Sequence, residues 1–237
     1  ERSRRGKSTS AELISLLQPS EARRVPECEH HRDGSCGGCP WMFVDYSEQL
    51  KQKQARLSKV LERITGKAAS CSMLGAGQTL SYRNRAQFKS DGVKLGYVAQ
   101  STHEIVDVIH CPILTVTNQG HLSALRQSLP NSDWRPNKKR QWTTIDINDE
   151  RGTPLVNQRQ AFRQGNSEQN EQLRAWLSNR LANLSRPTTV FELFCGSGNL
   201  TEVIAEQVDV PVIAIEGDEM SLDALSARNL CKVKPVR

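Results

Sequence analysis

Apolar residues recur at helical spacing through Tyr46, Leu50, Leu57, Leu61 and Ile64, while Lys51, Arg56, Lys59 and Arg63 fall on other faces. Spacings of three, four and seven predict an amphipathic helix over 46–65, stopped by Gly66. From about residue 72 to 162 the pattern shortens to β-type runs, at 82–89, 94–99, 105–109, 142–147 and 155–162. Ser90-Asp91-Gly92 reads as the turn between the first two, and residues 149–152 join the last two. Past residue 165 the helical period returns. Asn166 with Gln169 resembles a capping box, and Leu173, Trp176, Leu177, Leu181 and Leu184 form a stripe that Pro187 ends. A strand at 190–194, a glycine turn at 195–198, a helix at about 200–208, a strand at 212–215 and a helix at 219–230 follow. This β-turn-α-β-α order is half of a nucleotide-binding parallel sheet. One further short helix is predicted over 11–17.

Composition narrows the class. The 237 residues are 37% hydrophobic and 24% charged, which excludes a disordered tail, a collagen-like fibre or a coiled coil. The length suits one large or two modest domains. No apolar run reaches the roughly 18 residues of a membrane span, and the polar start (Glu1, Arg2, Ser3, Arg4, Arg5) lacks the apolar centre of a signal peptide. The expected location is the cytoplasm. Charge is unevenly spread. Residues 1–190 hold 28 Lys and Arg against 18 Asp and Glu, whereas residues 191–237 hold 4 against 8. A basic body on an acidic segment suits a protein that grips a polyanion with one part, or one that uses its charge only for solubility. The loop at 134–142 is basic and bounded by Trp134 and Trp142.

Seven cysteines, an odd number without an export signal, argue against a disulfide framework. Cys36 and Cys39 form a C-x2-C pair, with Cys28 seven residues upstream. Zinc completed by His30 and His31 is one reading. An iron–sulfur cluster is the other, with Cys111, next to Pro112, as the fourth thiolate. Unliganded cysteines are the third. Cys71 reads as a small buried hydrophobe and Cys231 as an incidental thiol.

The turn Glu192-Leu193-Phe194-Cys195-Gly196-Ser197-Gly198-Asn199 lets a ligand approach the backbone at Gly196. Glu216, 24 residues beyond Glu192, stands where an acid can accept hydrogen bonds from both ribose hydroxyls. Position 201 is Thr, so the dinucleotide fingerprint fails, and no phosphate-loop Lys-Ser/Thr is present. Acids around such a turn suit a cationic adenosine ligand such as S-adenosylmethionine better than a phosphate.

Taken together these residues resemble the S-adenosylmethionine-dependent RNA uracil-C5 methyltransferases of the iron–sulfur branch, of the kind that act on 23S rRNA. The resembling stretches are Cys28…Cys36-Gly37-Gly38-Cys39-Pro40-Trp41, Tyr46…Gln49-Leu50…Lys53, Tyr82-Arg83-Asn84-Arg85-Ala86, Leu95-Gly96-Tyr97, Cys111-Pro112, Phe162-Arg163-Gln164-Gly165-Asn166 and 193–199. The resemblance implies an α/β fold: a β-rich central domain with a cysteine-cluster loop, then the first half of a Rossmann-like methyltransferase sheet. It divides the chain into a basic arm (1–25), an iron–sulfur and RNA-contacting domain (26–157) and the start of the cofactor domain (158–237). It implies a 4Fe-4S cluster on Cys28, Cys36, Cys39 and Cys111, and S-adenosylmethionine contacts at Gln164, Phe194, Gly196, Asn199 and Glu216. The implied partner is RNA, with an unpaired uridine, most naturally ribosomal, as target. Tyr82, Arg83, Arg85 and the loop at 134–142, with Trp134 and Trp142, are then the candidate RNA contacts, aromatics for bases and cations for phosphates. The other reading of them is a solvated basic face with half-buried tryptophans. In the family's chemistry a cysteine thiolate adds to carbon 6 of uracil, carbon 5 takes the methyl group, and a base removes the carbon 5 proton.

The chain departs from the family pattern in three ways. It has no small β-barrel RNA-binding domain in front, the stretch from Cys111 to Gln164 is short, and it stops at Arg237, before the family's nucleophile and base. No residue here is assigned as catalytic, and the chain reads as a fragment of a longer enzyme. The competing reading is a non-catalytic iron–sulfur RNA-binding module that has lost the catalytic half.

Overall fold

The computed structural model describes residues 3–5, 8–10, 13–100, 102–137, 139–184 and 187–237, and divides into two compact units, 1–75 and 76–237. In the first unit, β1 (Ser3–Arg5) and β2 (Ser8–Ser10) form an antiparallel pair. Residues 13–17 are not helical, contrary to the sequence expectation, while residues 11 and 12 lie outside the described residues. Leu13, Ile14 and Leu17 are exposed, so this short run has no surface to pack on, and isolated helices of this length do not hold in water. A four-residue α1 (Glu29–Arg32) sits inside the cysteine loop. The long α2 (Tyr46–Thr65) has the bounds its periodicity gives. Asp45 caps its start by accepting the Ser47 N–H, and Gly66 ends it at φ 68°.

The second unit holds two sheets. Strands β3 (Arg85–Ser90), β4 (Leu95–Val98), β5 (Ile105–Asp107), β6 (Thr143–Asn148) and β7 (Arg151–Val156) form an antiparallel sheet in the order β5-β4-β3-β6-β7. The β3–β6 register sets Ala86 opposite Ile147 and Phe88 opposite Ile145, all buried. The alternation of side chains sends Arg85, Gln87, Lys89, Thr144 and Asp146 to the other face. α3 (Val116–Gln127) packs on β6 and buries Leu122 and Leu125. No sequence pattern announced α3. Its buried stripe includes Asn118 in place of an apolar residue, and Gly120 lowers its helix propensity.

β7 starts at Arg151, earlier than the 155–162 reading. Asn148 accepts the Glu150 and Arg151 N–H groups, so the hairpin closes at once, and Asn157 leaves the strand at φ 54°. Gly96 is obligatory, because a Cβ there would stand 2.0 Å from the Val106 carbonyl oxygen.

α4 (Ser167–Leu181) is capped by Asn166, which accepts the Gln169 N–H as its spacing suggests. β8 (Val190–Leu193), α5 (Asn199–Gln207), β9 (Val212–Ile215), α6 (Glu219–Ser226) and β10 (Val233–Val236) complete the chain. The three strands are parallel, in the order β10-β9-β8. Val212, Ala214, Val203, Ile204 and Leu225 are buried on the helix-covered side. On β8 the alternate residues Phe191 and Leu193 remain 65% and 63% exposed. Among the described residues no helix is long and apolar enough to cross a membrane.

Candidate cofactor site at the glycine turn

β8 delivers the chain into a turn that runs through three left-handed residues. Phe194 has φ 58°, Gly196 φ 57° and Gly198 φ 88°. Glycine takes such angles freely, whereas a bulky aromatic residue there is a true outlier. Phe194 nonetheless takes one, and its ring is 89% exposed beside the strand ends. Backbone strain combined with an exposed aromatic ring is a pattern found at ligand sites. Gly198 is needed for a second reason, because a Cβ would lie 2.5 Å from Leu225 Cδ1 in the core.

Glu216 closes the turn from the end of β9. The Gly196 N–H donates to its Oε2 at 2.9 Å, and the Asp218 N–H donates to its Oε1 at 2.9 Å. These backbone donors, Asp218 first and then Gly196, hold the carboxyl below the usual carboxylate range. Each carboxylate oxygen keeps a second lone pair, so a fixed, ionised carboxylate can still accept two hydroxyls. Desolvation raises the Glu192 carboxyl, which lies on the helix-covered side of β8. Burial, with the charges of Glu192 and Glu216, pushes the Cys195 thiol up to about 11, so Cys195 is poorly suited to act as a nucleophile. The same negative field repels a phosphate and attracts a cation. A fixed carboxylate, an exposed ring and a negative field together suit a cationic ligand with hydroxyl groups.

Asn199 opens α5. Its side chain pairs with Asn170 of α4 in both directions, at 2.7 and 3.0 Å, while Arg174 donates to its backbone carbonyl and to Glu202. Asn170 and Arg174, four apart on α4, therefore fix the start of α5. Their spacing was visible in the sequence, but their partners were not. Gln164 is exposed, and its carbonyl accepts from Asn84 Nδ2 at 3.0 Å. Gly196, Glu216 and the adjoining Phe194 are thus gathered, Asn199 is held by α4, and Gln164 sits on the segment leading into α4. Asp218, which caps α6 through Ser221, was not foreseen as a neighbour of the site.

None of the seven cysteines is joined in a disulfide. Cys28, Cys36 and Cys39 are half-buried and Cys111 is buried. Cys28 precedes α1, and the Cys36 N–H donates to the His30 carbonyl at 3.0 Å, folding the loop back on itself. Desolvation raises the Cys36 thiol, and nearby Cys28 adds to the shift. Among the described residues, no three His, Cys, Asp or Glu side chains are gathered as a metal cage. The donor set has cluster chemistry.

The RNA-contact candidates separate sharply. Trp134 is 7% exposed and belongs to the core, where it cannot stack on a base. Arg85 is committed to Asp146 through Nε and Nη2, the latter at 2.7 Å, and to the Ala161 carbonyl. Arg83 and the half-buried Trp142 keep outward positions, and Tyr82 is half-buried. Lys138, in the same loop, lies outside the described residues.

No family model matches the chain. It is 40% identical over 228 residues to an uncharacterized RNA methyltransferase of Nitrosomonas europaea, covering 93% of this chain and 58% of that protein. It is 26% identical over 271 residues to a 23S rRNA (uracil(1939)-C(5))-methyltransferase of Aliivibrio fischeri, covering 89% of this chain and 60% of that protein. The chain therefore spans less than two thirds of these relatives. Among solved structures, it shares the fold of a Pyrococcus abyssi tRNA (uracil-54, C5)-methyltransferase in complex with S-adenosyl-L-homocysteine, with a TM-score of 0.65 at 15% identity. That likeness covers 94% of this chain and 67% of the other.

Proposed function

We propose that this chain carries the S-adenosylmethionine-binding turn and an RNA-contacting domain of an enzyme that methylates carbon 5 of a uridine in RNA, ribosomal RNA being the favoured target. The observation that carries this reading is the closure of the turn, in which Gly196 and Asp218 hold an ionised Glu216 carboxylate beside an exposed, strained Phe194. When bound, S-adenosylmethionine would supply an electrophilic methyl group. The chain's own part is to bind and orient. Glu216 would accept the ribose hydroxyls, Phe194 would cover the adenine, Gly196 would let the ligand approach the backbone, and Gln164 and Asn199 would border the site. The relatives' names and the fold shared with a uracil methyltransferase support the reading.

Nucleoside analysis of unmodified ribosomal RNA after incubation with the enzyme that contains this chain and S-adenosylmethionine tests it. New 5-methyluridine is the expected product. A methyl group on a ribose or on another base would reject the carbon 5 assignment.

Cys28, Cys36, Cys39 and Cys111 are proposed as ligands of a 4Fe-4S cluster, supported by their soft donor set and by the closeness of Cys28 to Cys36. No step of the reaction is routed through a cluster. Metal analysis of anaerobically purified protein should show about four irons with sulfide. One zinc and no iron would assign the loop to zinc instead.

A further inference from the structure

On the polar face of the antiparallel sheet, the residues leading into β6, the start of β6 and the segment after β7 line an open groove of about 500 Å³. Its rim is cationic, with Lys139, Arg140 and Arg159 all exposed. Its wall includes the half-buried ring of Trp142 and the amides of Gln141 and Gln158. The ring is held in place, with Lys89 Nζ 5.8 Å from its centroid and His103 6.3 Å away, so a ligand meets a fixed aromatic surface. Three cations around an aromatic wall with amide donors and acceptors match the chemistry of a nucleotide strand: phosphates for the cations, a base for the ring and the amides.

The position of the groove adds a second argument. Arg159 on its rim donates to Asp218 Oδ1 at 2.7 Å. Asp218 caps α6, and its own N–H is one of the two that hold Glu216. The groove is therefore linked to the carboxylate of the cofactor turn through one ion pair and one backbone hydrogen bond.

We propose that this groove binds an unpaired RNA segment flanking the target nucleotide, with phosphates on Lys139, Arg140 and Arg159 and a base against Trp142, and that it guides the strand toward the cofactor turn. The proposal rests on the methyltransferase reading and extends it to a specific substrate-holding surface. RNA is favoured over an acidic protein because a carboxylate-rich partner would use the cations but leave the aromatic wall and the amides without a role.

The test is fluorescence anisotropy on the purified protein with a labelled, unstructured RNA of about ten nucleotides. Wild type is compared with the Lys139→Glu/Arg140→Glu double variant over a salt series, with S-adenosylhomocysteine affinity measured in parallel. RNA affinity of the double variant should fall at least about tenfold, and the slope of log affinity against log salt should shrink by about 1.4 for two lost phosphate contacts. S-adenosylhomocysteine affinity should not change, because neither lysine nor arginine touches the turn. RNA bound equally well by both proteins, with equal slopes, would overturn the groove and leave the methyltransferase reading standing. Polyglutamate of equal charge displacing the RNA as well as unlabelled RNA does would also overturn it. Wild-type protein that binds neither RNA nor S-adenosylhomocysteine would overturn both.

Discussion

The two sheets of the 76–237 unit are finished to different degrees. The antiparallel sheet buries one face under α3, with Phe88, Leu95 and Ile145 fully inaccessible, and turns a polar face outward. There the Arg85–Asp146 pair is nearly closed to solvent, Asp146 being 1% exposed. Among the described residues, α5 and α6 pack on one side of the parallel sheet. Its other side shows Phe191 and Leu193, although parallel sheets are ordinarily covered on both faces. The first sheet is a self-contained scaffold. The second places its strand ends, its glycine turn and Glu216 at the surface, where a ligand and further protein surface can reach them. Stability should therefore reside mainly in the first sheet and ligand response in the second.

The largest expected effect tests the scaffold side of that contrast. Asp146→Ala leaves Arg85 largely buried with its main partner gone, and chemical denaturation should show a loss of about 3–5 kcal/mol. A loss below about 1 kcal/mol would mean that water already reaches the pair. Next comes Gly198→Ala in the turn. The left-handed φ and the contact with Leu225 should cost about 1–3 kcal/mol, and S-adenosylhomocysteine binding should weaken as the turn shifts.

A smaller effect concerns acid. Arg126 binds Asp107 at 2.7 and 2.9 Å and holds its carboxyl below the usual range. A depressed carboxyl contributes stability that is present above its unfolded value, near 3.9, and is lost as pH falls through the lower folded value. Asp107 is 37% exposed, so the share is about 1 kcal/mol or less. Arg126→Met should flatten the decline in melting temperature below about pH 4, whereas an unchanged acid profile would remove the pair from the account. The smallest effect should come from Phe191→Ser. If the outer face of β8 has no partner, stability should move by no more than about 0.5 kcal/mol. A cost of several times that would show that the face is covered in solution, and the contrast between the sheets would weaken.

The sequence made some of these features visible and hid others for physical reasons. The helix over 46–65 was readable because an apolar stripe and a glycine stop act locally. β9 was readable to the residue because the β-branched run Val212, Ile213 and Ile215 has one local preference. The turn at Gly196 and Gly198 was readable because left-handed backbone favours glycine. α3 was hidden by its buried Asn118, whose side chain donates to the Arg83 carbonyl, a partner that only the fold supplies. β10 was hidden because four residues containing Pro235 carry almost no strand signal until β9 pairs with them. At the site, Glu216 was legible from its place at a strand end. The Asn170–Asn199 and Arg159–Asp218 pairs, separated by 29 and 59 residues, were not, because such pairs come from topology and not from pattern. Trp134 looked like a surface aromatic because its basic neighbours hid its burial.

Glu216 and the glycine turn are proposed to hold an adenosine-bearing methyl donor. Isothermal calorimetry of S-adenosylhomocysteine binding to wild type and to Glu216→Ala tests this proposal most directly. The account predicts that the variant loses about 1–3 kcal/mol of binding, the usual cost of charge-assisted hydrogen bonds, while its melting temperature stays close to that of wild type. Equal affinities in the two proteins would contradict it and would leave Glu216 as a carboxylate that only closes its own turn.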